Sequence, residues 1–339
     1  MKTSSKFLIA SFFALVACSL TASAQEKQAQ VGFRFLSNPV SAEFVGRGTA
    51  GITTTHSSDA IFWNPAMLGW SQSTVDVSLH NTQGIVDINY NAVSASVKLG
   101  DFGVLGFSFL AMDYGSFYST YAIKEVDGGY VETGTFSPYA QSIGIAFSQK
   151  MNDRFSYGVQ VKYAYQDLGD AWVWVQHAGD SIGGLGKRKY DKGIFAFDAG
   201  TMYDFDWHGL RFGATLQNIS GEVKYEYESF PLPFSVNFGV SIRPLTFISG
   251  DEEVKNLIVN IESHHPRDYG ENMKYGLEYN FLDLLALRAG YMTNLDERGF
   301  TAGIGVRQEI SGFPIRVDYA YEPFGILNDV HFISLGVSY

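Results

Sequence analysis

The chain has 339 residues, of which 46% are apolar, 15% aromatic and 17% charged, with 36 glycines and one cysteine. Many rings and glycines beside few charges suit β-structure whose ends meet lipid, and a formal net charge of −11 argues against general nucleic-acid binding. Beyond the first residues no apolar run reaches the ~18 residues of a transmembrane helix, which excludes helical spanning.

Residues 1–24 read as an export signal. Lys2 and Lys6 supply the positive start, Phe7 to Ala17 the short apolar run, and Ala22-Ser23-Ala24 a small-residue cleavage site before Gln25. An alternative acylates Cys18 after Leu15-Val16-Ala17. Ordinary cleavage is preferred, because the Ala-x-Ala site is well formed and a barrel needs no lipid anchor. Cleavage removes the only cysteine, and with it any disulfide, thiol nucleophile or thiolate metal site. It also takes away two Lys and no acid, leaving 22 cationic against 35 acidic residues, a mature net charge of −13.

Residues 25–72 lack a regular period. Gly46, Gly48 and Gly51 spell G-x-G-x-x-G, but no βαβ unit follows, so the glycines are read as tight backbone turns where side chains would collide. In IFWNPAMLGW, Asn64-Pro65 fits a helix start: Asn accepts from free N–H groups and Pro at the first helical position loses nothing. One short turn over Ala66-Met67-Leu68, closed at Gly69, is expected.

From residue 73 to 339 the chain alternates at period two. Val75, Val77 and Leu79 oppose Asp76, Ser78 and His80; Leu277 and Tyr279 oppose Glu278; Leu285, Leu287 and Ala289 oppose Arg288 and Gly290. We count 14 such segments, an even number as a single-chain bacterial barrel requires. Turns after even-numbered segments are tight, while connections after odd-numbered ones are often long, notably 113–137, 167–192 and 219–233. Residues 244–254 are the exception. Short turns on one rim and long loops on the other are how outer-membrane barrels are built, which puts both mature termini in the periplasm. The apolar sets carry no charge. Glu262, Glu278, Arg288, Arg307, Arg316 and Asp318 fall on the opposite face, where pairing across a lumen is expected of them. The fold class expected is therefore an all-β, 14-stranded antiparallel transmembrane β-barrel. Its last nine residues, HFISLGVSY, resemble the signal by which barrel-assembly machinery recognises clients.

Gly46-Arg47-Gly48-Thr49-Ala50, Asp59-Ala60 and Trp63-Asn64-Pro65-Ala66-Met67-Leu68 resemble the N-terminal signature of the PorV/PorQ family, relatives of the FadL-type fatty-acid transporters. Residues 284–306 and 315–339 resemble it too. The resemblance implies an N-terminal segment folded inward as a plug, with Gly46, Gly48, Asp59, Trp63, Asn64, Pro65 and Ala66 as its motif. It also implies the outer membrane of a Gram-negative bacterium, and a noncatalytic binding or assembly role in type IX secretion or surface attachment, with secretion components and secreted cargo as partners. The alternative is uptake of a hydrophobic ligand, as in FadL-type proteins, which would need an apolar pocket under the plug. The small, polar and charged lumen face disfavours it. No cofactor is expected.

Three further features bear on chemistry. His264-His265 with Glu262 and Asp268 formally suggests a metal site, but adjacent histidines point different ways in an extended loop. GLGKRKYDKG (184–193) offers four cations to phosphates or a partner, or is simply a solvated loop. No G-x-S-x-G or comparable motif supports a hydrolase.

Overall fold

Period-two alternation places one set of side chains on each side of a sheet, and a sheet of 14 such strands removes its own edges by closing. The computed structural model describes residues 30–54, 57–124, 126–175, 184–249, 256–295 and 298–339. The expected export signal, cleavage site and Cys18 lie outside them.

The barrel strands are β1 (Val75–Gln83), β2 (Asn89–Lys98), β3 (Val104–Asp113), β4 (Tyr139–Lys150), β5 (Phe155–Val175), β6 (Gly184–Asp204) and β7 (Arg211–Ile219). There follow β8 (Ser235–Ile242), β9 (Leu257–Pro266), β10 (Asn272–Phe281), β11 (Leu285–Met292), β12 (Phe300–Ile310), β13 (Phe313–Pro323) and β14 (Asp329–Ser338). Each pairs antiparallel with its neighbours in sequence, and β1 closes on β14 with Val77 opposite Val337. The 14 strands correspond one to one with the alternating segments of the sequence. At the tight end, Ser311 and Gly312 both have positive φ, as a two-residue hairpin turn demands.

The two faces separate as the alternation requires. Leu277, Leu287 and Ile304 are exposed on the outside, whereas Asp76, Ser78, His80, Glu278 and Arg288 are buried on the inside. A band of exposed Val, Leu, Ile, Phe and Tyr of this extent is far larger than a water-facing surface carries.

Three stretches expected as loops have structure of their own. The 113–137 connection contains a hairpin pairing Phe117–Ala122 with Tyr130–Phe136. The 219–233 connection contains a two-residue ladder, Val223 to Phe230. Within the connection expected at 167–192, residues 167–175 and 184–192 are strand: β5 and β6 each run 21 residues and continue past a bulge between Asp167 and Asp170. The basic GLGKRKYDKG stretch is therefore part of β6, with Arg188 paired to Glu226 and Lys189 to Asp167. Likewise His264 and His265 are strand residues of β9, not loop.

The segment before β1 touches inward-facing residues of strands right round the sheet, including β1, β4, β9, β12 and β14, so it lies inside the barrel. It begins at the long-loop rim, where the Gly32 N–H donates to Pro231 O and Arg34 pairs with Asp268. It ends at the short-turn rim, where Trp70 donates to Ser156 and meets Lys150 and Arg211. The described part of the segment thus crosses the lumen before β1 starts, while the mature N-terminus expected at Gln25 lies outside the described residues.

Candidate functional site

The N-terminal segment carries little regular structure, so its backbone polar groups need partners supplied by the wall. Inward side chains provide them. Ser334 accepts from Ala42 N–H, Thr301 from Gly48 N–H, and Glu262 from Gly51 N–H at 3.1 Å. Asn64 is the N-cap of a short 3-10 helix, Pro65–Trp70, with its Oδ1 accepting from Ala66 N–H, as its sequence implied. Its Nδ2 also donates to Ile52 O at 2.8 Å and Thr201 O at 3.1 Å, tying the segment to itself and to β6. Trp63 stacks on Phe44 with centroids 3.9 Å apart.

Close approach explains the glycines of the inward face. A Cβ on Gly200 would lie 2.0 Å from Asn64 Oδ1, one on Gly158 2.4 Å from Ala66 N, and one on Gly290 1.9 Å from Gly48 N. Gly303 meets Gly46 in the same way, its Cβ position 2.9 Å from Gly46 Cα. Gly48 itself has φ +65, a left-handed conformation that glycine adopts without strain. These glycines are a mould of the segment, a role the alternation pattern does not reveal.

Charges join segment to wall in two buried clusters. In one, Arg47 reaches Glu43 at 3.0 Å and Glu278 at 3.6 Å, while Arg288 holds Glu278 and Asp318, each at 2.6 Å. In the other, Asp59 lies 3.4 Å from His80 Nε2 and 3.7 Å from Arg316, which also holds Asp76 at 2.7 Å. Ser41 and Ser94 donate to the Asp59 carboxylate. Burial alone would raise the Asp59 pKa, but His80, Arg316 and the Ser78 hydroxyl outweigh it and hold the carboxyl below its ordinary range. Glu262 sits apart, held by Lys274 at 3.3 Å and by the segment's backbone. Arg307 lies outside both clusters: it is exposed near the short-turn rim, opposite Arg316 in the β12–β13 register. Glu43, Arg47, Asp76 and His80 complete the clusters and were not singled out from sequence. Their signal was a charge within an otherwise apolar segment, or on an inward face.

His264 turns inward and its Nδ1 meets Asn237 Oδ1, whereas His265 turns outward to Glu271. The structure does not bring the two rings together.

On the long-loop side of the segment, the barrel holds a cavity of about 460 Å³. Leu36, Val40, Ile52, Phe62, Trp63 and Leu110 give it apolar surface, while Lys162, Asp198, Asn237, Glu262 and Lys274 give it polar surface. The volume lies within the ~300–1,000 Å³ range of small-molecule sites.

Compared by sequence, the chain matches no protein-family model and no curated protein. Its fold has solved counterparts. The toluene transporter TodX of Pseudomonas putida superposes with a TM-score of 0.55 at 13% identity, covering 88% of this chain and 97% of that one. The toluene transporter TbuX of Ralstonia pickettii gives 0.54 at 13% identity, over 88% and 97%. A FadL homologue of Pseudomonas aeruginosa gives 0.51 at 13% identity, over 89% and 98%. The class defined is a closed, FadL-like 14-strand barrel, and at these identities the likeness extends to the fold.

Proposed function

We propose that this chain is an outer-membrane barrel of a Gram-negative bacterium that admits small hydrophobic molecules past a resident N-terminal plug. The observation that carries the proposal is the cavity of about 460 Å³ held between the long-loop rim and the N-terminal segment, with Phe62 and Trp63 in its floor. The outward apolar band supports a membrane setting, since only helices or closed barrels satisfy every backbone group in lipid. The solved counterparts described as toluene transporters favour transport over assembly. The polar inward face, which weighed against transport in the sequence, is largely taken up by the segment: Ser334, Thr301 and Glu262 all hold its backbone.

The test is uptake into proteoliposomes. Toluene or an alkane should equilibrate faster across vesicles containing the protein than across protein-free vesicles. Equal rates, with the barrel folded, would reject the transporter.

A second reading, a binding or assembly partner in type IX secretion of the PorV/PorQ kind, draws on the hairpin at 117–136. There Phe117, Tyr118 and Tyr130 stand exposed on the long-loop rim. Affinity purification from solubilised outer membrane decides it: secretion components should co-purify, and loss of that capture on replacing Tyr118 and Tyr130 by Ser would place the contact here.

A further inference from the structure

The extended β5–β6 hairpin turns one face to the 219–233 connection and the other to the hairpin of Phe117–Ala122 and Tyr130–Phe136. On the first face Arg188 and Tyr190 meet Glu226. The second continues the barrel's outward face, because residues opposite in register share a side: Tyr163 opposes Phe195, Asp167 opposes Asp191, Asp170 opposes Lys189 and Trp172 opposes Lys187. The 117–136 hairpin leans on that face at the bulge, where a Cβ on Gly169 would lie 2.6 Å from the Phe136 ring. Between the two hairpins runs a groove of about 310 Å³, inside the ~300–1,000 Å³ range of small-ligand sites.

The walls of the groove carry groups that read a sugar phosphate. Asp167 Oδ1 accepts from Gly169 N–H and its Oδ2 holds Lys189 at 3.0 Å, so the floor is a fixed pair and Lys189 is occupied. Asp170 and Lys187, by contrast, are exposed, and neither forms an ion pair among the described residues. A carboxylate there accepts from hydroxyls, and an ammonium donates to phosphate oxygens. Trp172 lines the same groove with its ring centre 5.6 Å from Lys187 Nζ, so a phosphate on a sugar packed against the indole lies within reach of that ammonium. From the other hairpin come hydroxyls. Ser119 Oγ accepts from Thr133, which leaves its own O–H to donate.

Position selects the source of that sugar. Below the groove the outward face carries the ring pairs Tyr163–Phe195 and Tyr139–Tyr165, with centroids 5.1 and 5.9 Å apart, as in the aromatic girdle where a barrel leaves the lipid. Trp172 follows Tyr165 along β5 at about 3.3 Å per residue, so the groove stands within roughly 20 Å of those rings. It opens on the lipid side of the wall, away from the lumen. In a Gram-negative outer membrane that layer is filled by a glycolipid with phosphorylated sugars. We infer that the groove docks the phosphorylated core sugar of an outer-leaflet lipopolysaccharide, with Trp172 against the sugar ring, Lys187 on the phosphate and Asp170 on the hydroxyls. This goes beyond the transport reading and shares with it only the outer-membrane setting.

The experiment is competition against a fluorescent rough lipopolysaccharide, lipid A carrying only a phosphorylated inner core, bound to the full-length protein in detergent micelles and read by anisotropy. Removing the core phosphates should weaken competition about tenfold, the worth of one charge-assisted hydrogen bond, and lipid A without a core should compete more weakly still. Lys187→Gln should bind the phosphorylated form about tenfold more weakly and lose the preference for phosphate. Trp172→Ala should weaken both forms about fivefold, while Lys192→Gln, an exposed cation outside the groove, should change neither. None of these side chains is buried, so the heat-modifiable band that reports folding should be unaltered. Lipid A matching the core-bearing form, Lys187→Gln matching the parent, or an equal loss in Lys192→Gln would overturn the inference. Delipidated core competing as well as the whole glycolipid would do so too, by making the source a free saccharide. Reconstitution of the same samples into bilayers tests the membrane setting separately, so the two failures are distinguishable.

Discussion

Replacing Gly290 by Ala tests whether the N-terminal segment is moulded to the wall. The added Cβ would lie 1.9 Å from Gly48 N and 2.3 Å from Arg47 C, more than an ångström inside ordinary contact, and both obstacles are backbone. No rotamer change relieves that, so the loop at Arg47–Gly48 has to retreat. Retreat breaks the bond from Gly48 N–H to Thr301 Oγ1, now 2.9 Å, a loss of about 1 kcal/mol. Overpacking strain adds about 1–3 kcal/mol. The expected destabilisation is therefore about 2–4 kcal/mol, before any loosening of the Arg47 ion pairs. Urea titration of the folded, heat-modifiable species on cold gels measures it, with Gly221→Ala as control because a Cβ there meets nothing within 4 Å. The same variant in proteoliposomes should leak small solutes that the parent retains. A Gly290→Ala protein that unfolds with its control, and leaks no more, would show that the segment does not lie against β11.

Four other outcomes are expected. Arg288→Met leaves Glu278 and Asp318 buried without their guanidinium and should destabilise by about 3–5 kcal/mol in the same titration. Asn64→Ala removes the cap and both carbonyl contacts of Nδ2, a loss of about 2–4 kcal/mol, and the 65–70 turn should become accessible to protease. Leu277→Arg sets a charge on the outward face in mid-strand and should slow assembly into bilayers, at about 2–4 kcal/mol, whereas Ile326→Arg in an exposed turn should stay within about 0.5 kcal/mol. The Asp59 carboxyl is held below its ordinary range, so its contribution is complete above the unfolded pKa of about 4 and is lost only as pH falls below that. Asp59→Asn should therefore cost no less stability at pH 5 than at pH 7, measured by urea titration at each, and a cost that falls sharply toward pH 5 would refute the assignment.

Sequence carried the wall well and its contents poorly. Val75 to Leu79, or Leu285 to Ala289, alternate because one neighbour meets an apolar surrounding and the next a polar interior, and that contrast is written locally. Past the bulge at Asp167 both faces of the β5–β6 hairpin leave that contrast behind, so alternation fades and the stretch from Asp167 reads as a long connection. The Asn64 cap was legible because capping is a contact between residues two apart. The path of residues 30–74 was not, since its partners, Ser334, Thr301 and Gly200 among them, lie far along the chain. Gly158, Gly200, Gly290 and Gly303 were visible as small inward residues, but only the neighbouring backbone gives their size a meaning. The inward charges were visible as a set; which of them meet required the register, and it leaves Arg307 at the margin.

The cluster around Asp59 straddles the place where the sheet closes on itself. Asp76 comes from β1, Arg316 from β13, and Ser334, which bonds both His80 and Ala42, from β14. The earliest and latest strands to leave the ribosome are thus fastened by a side chain that belongs to neither. Seating of the segment therefore adds its own bonds to a seam that Arg316 and Asp76 already hold by their own ion pair.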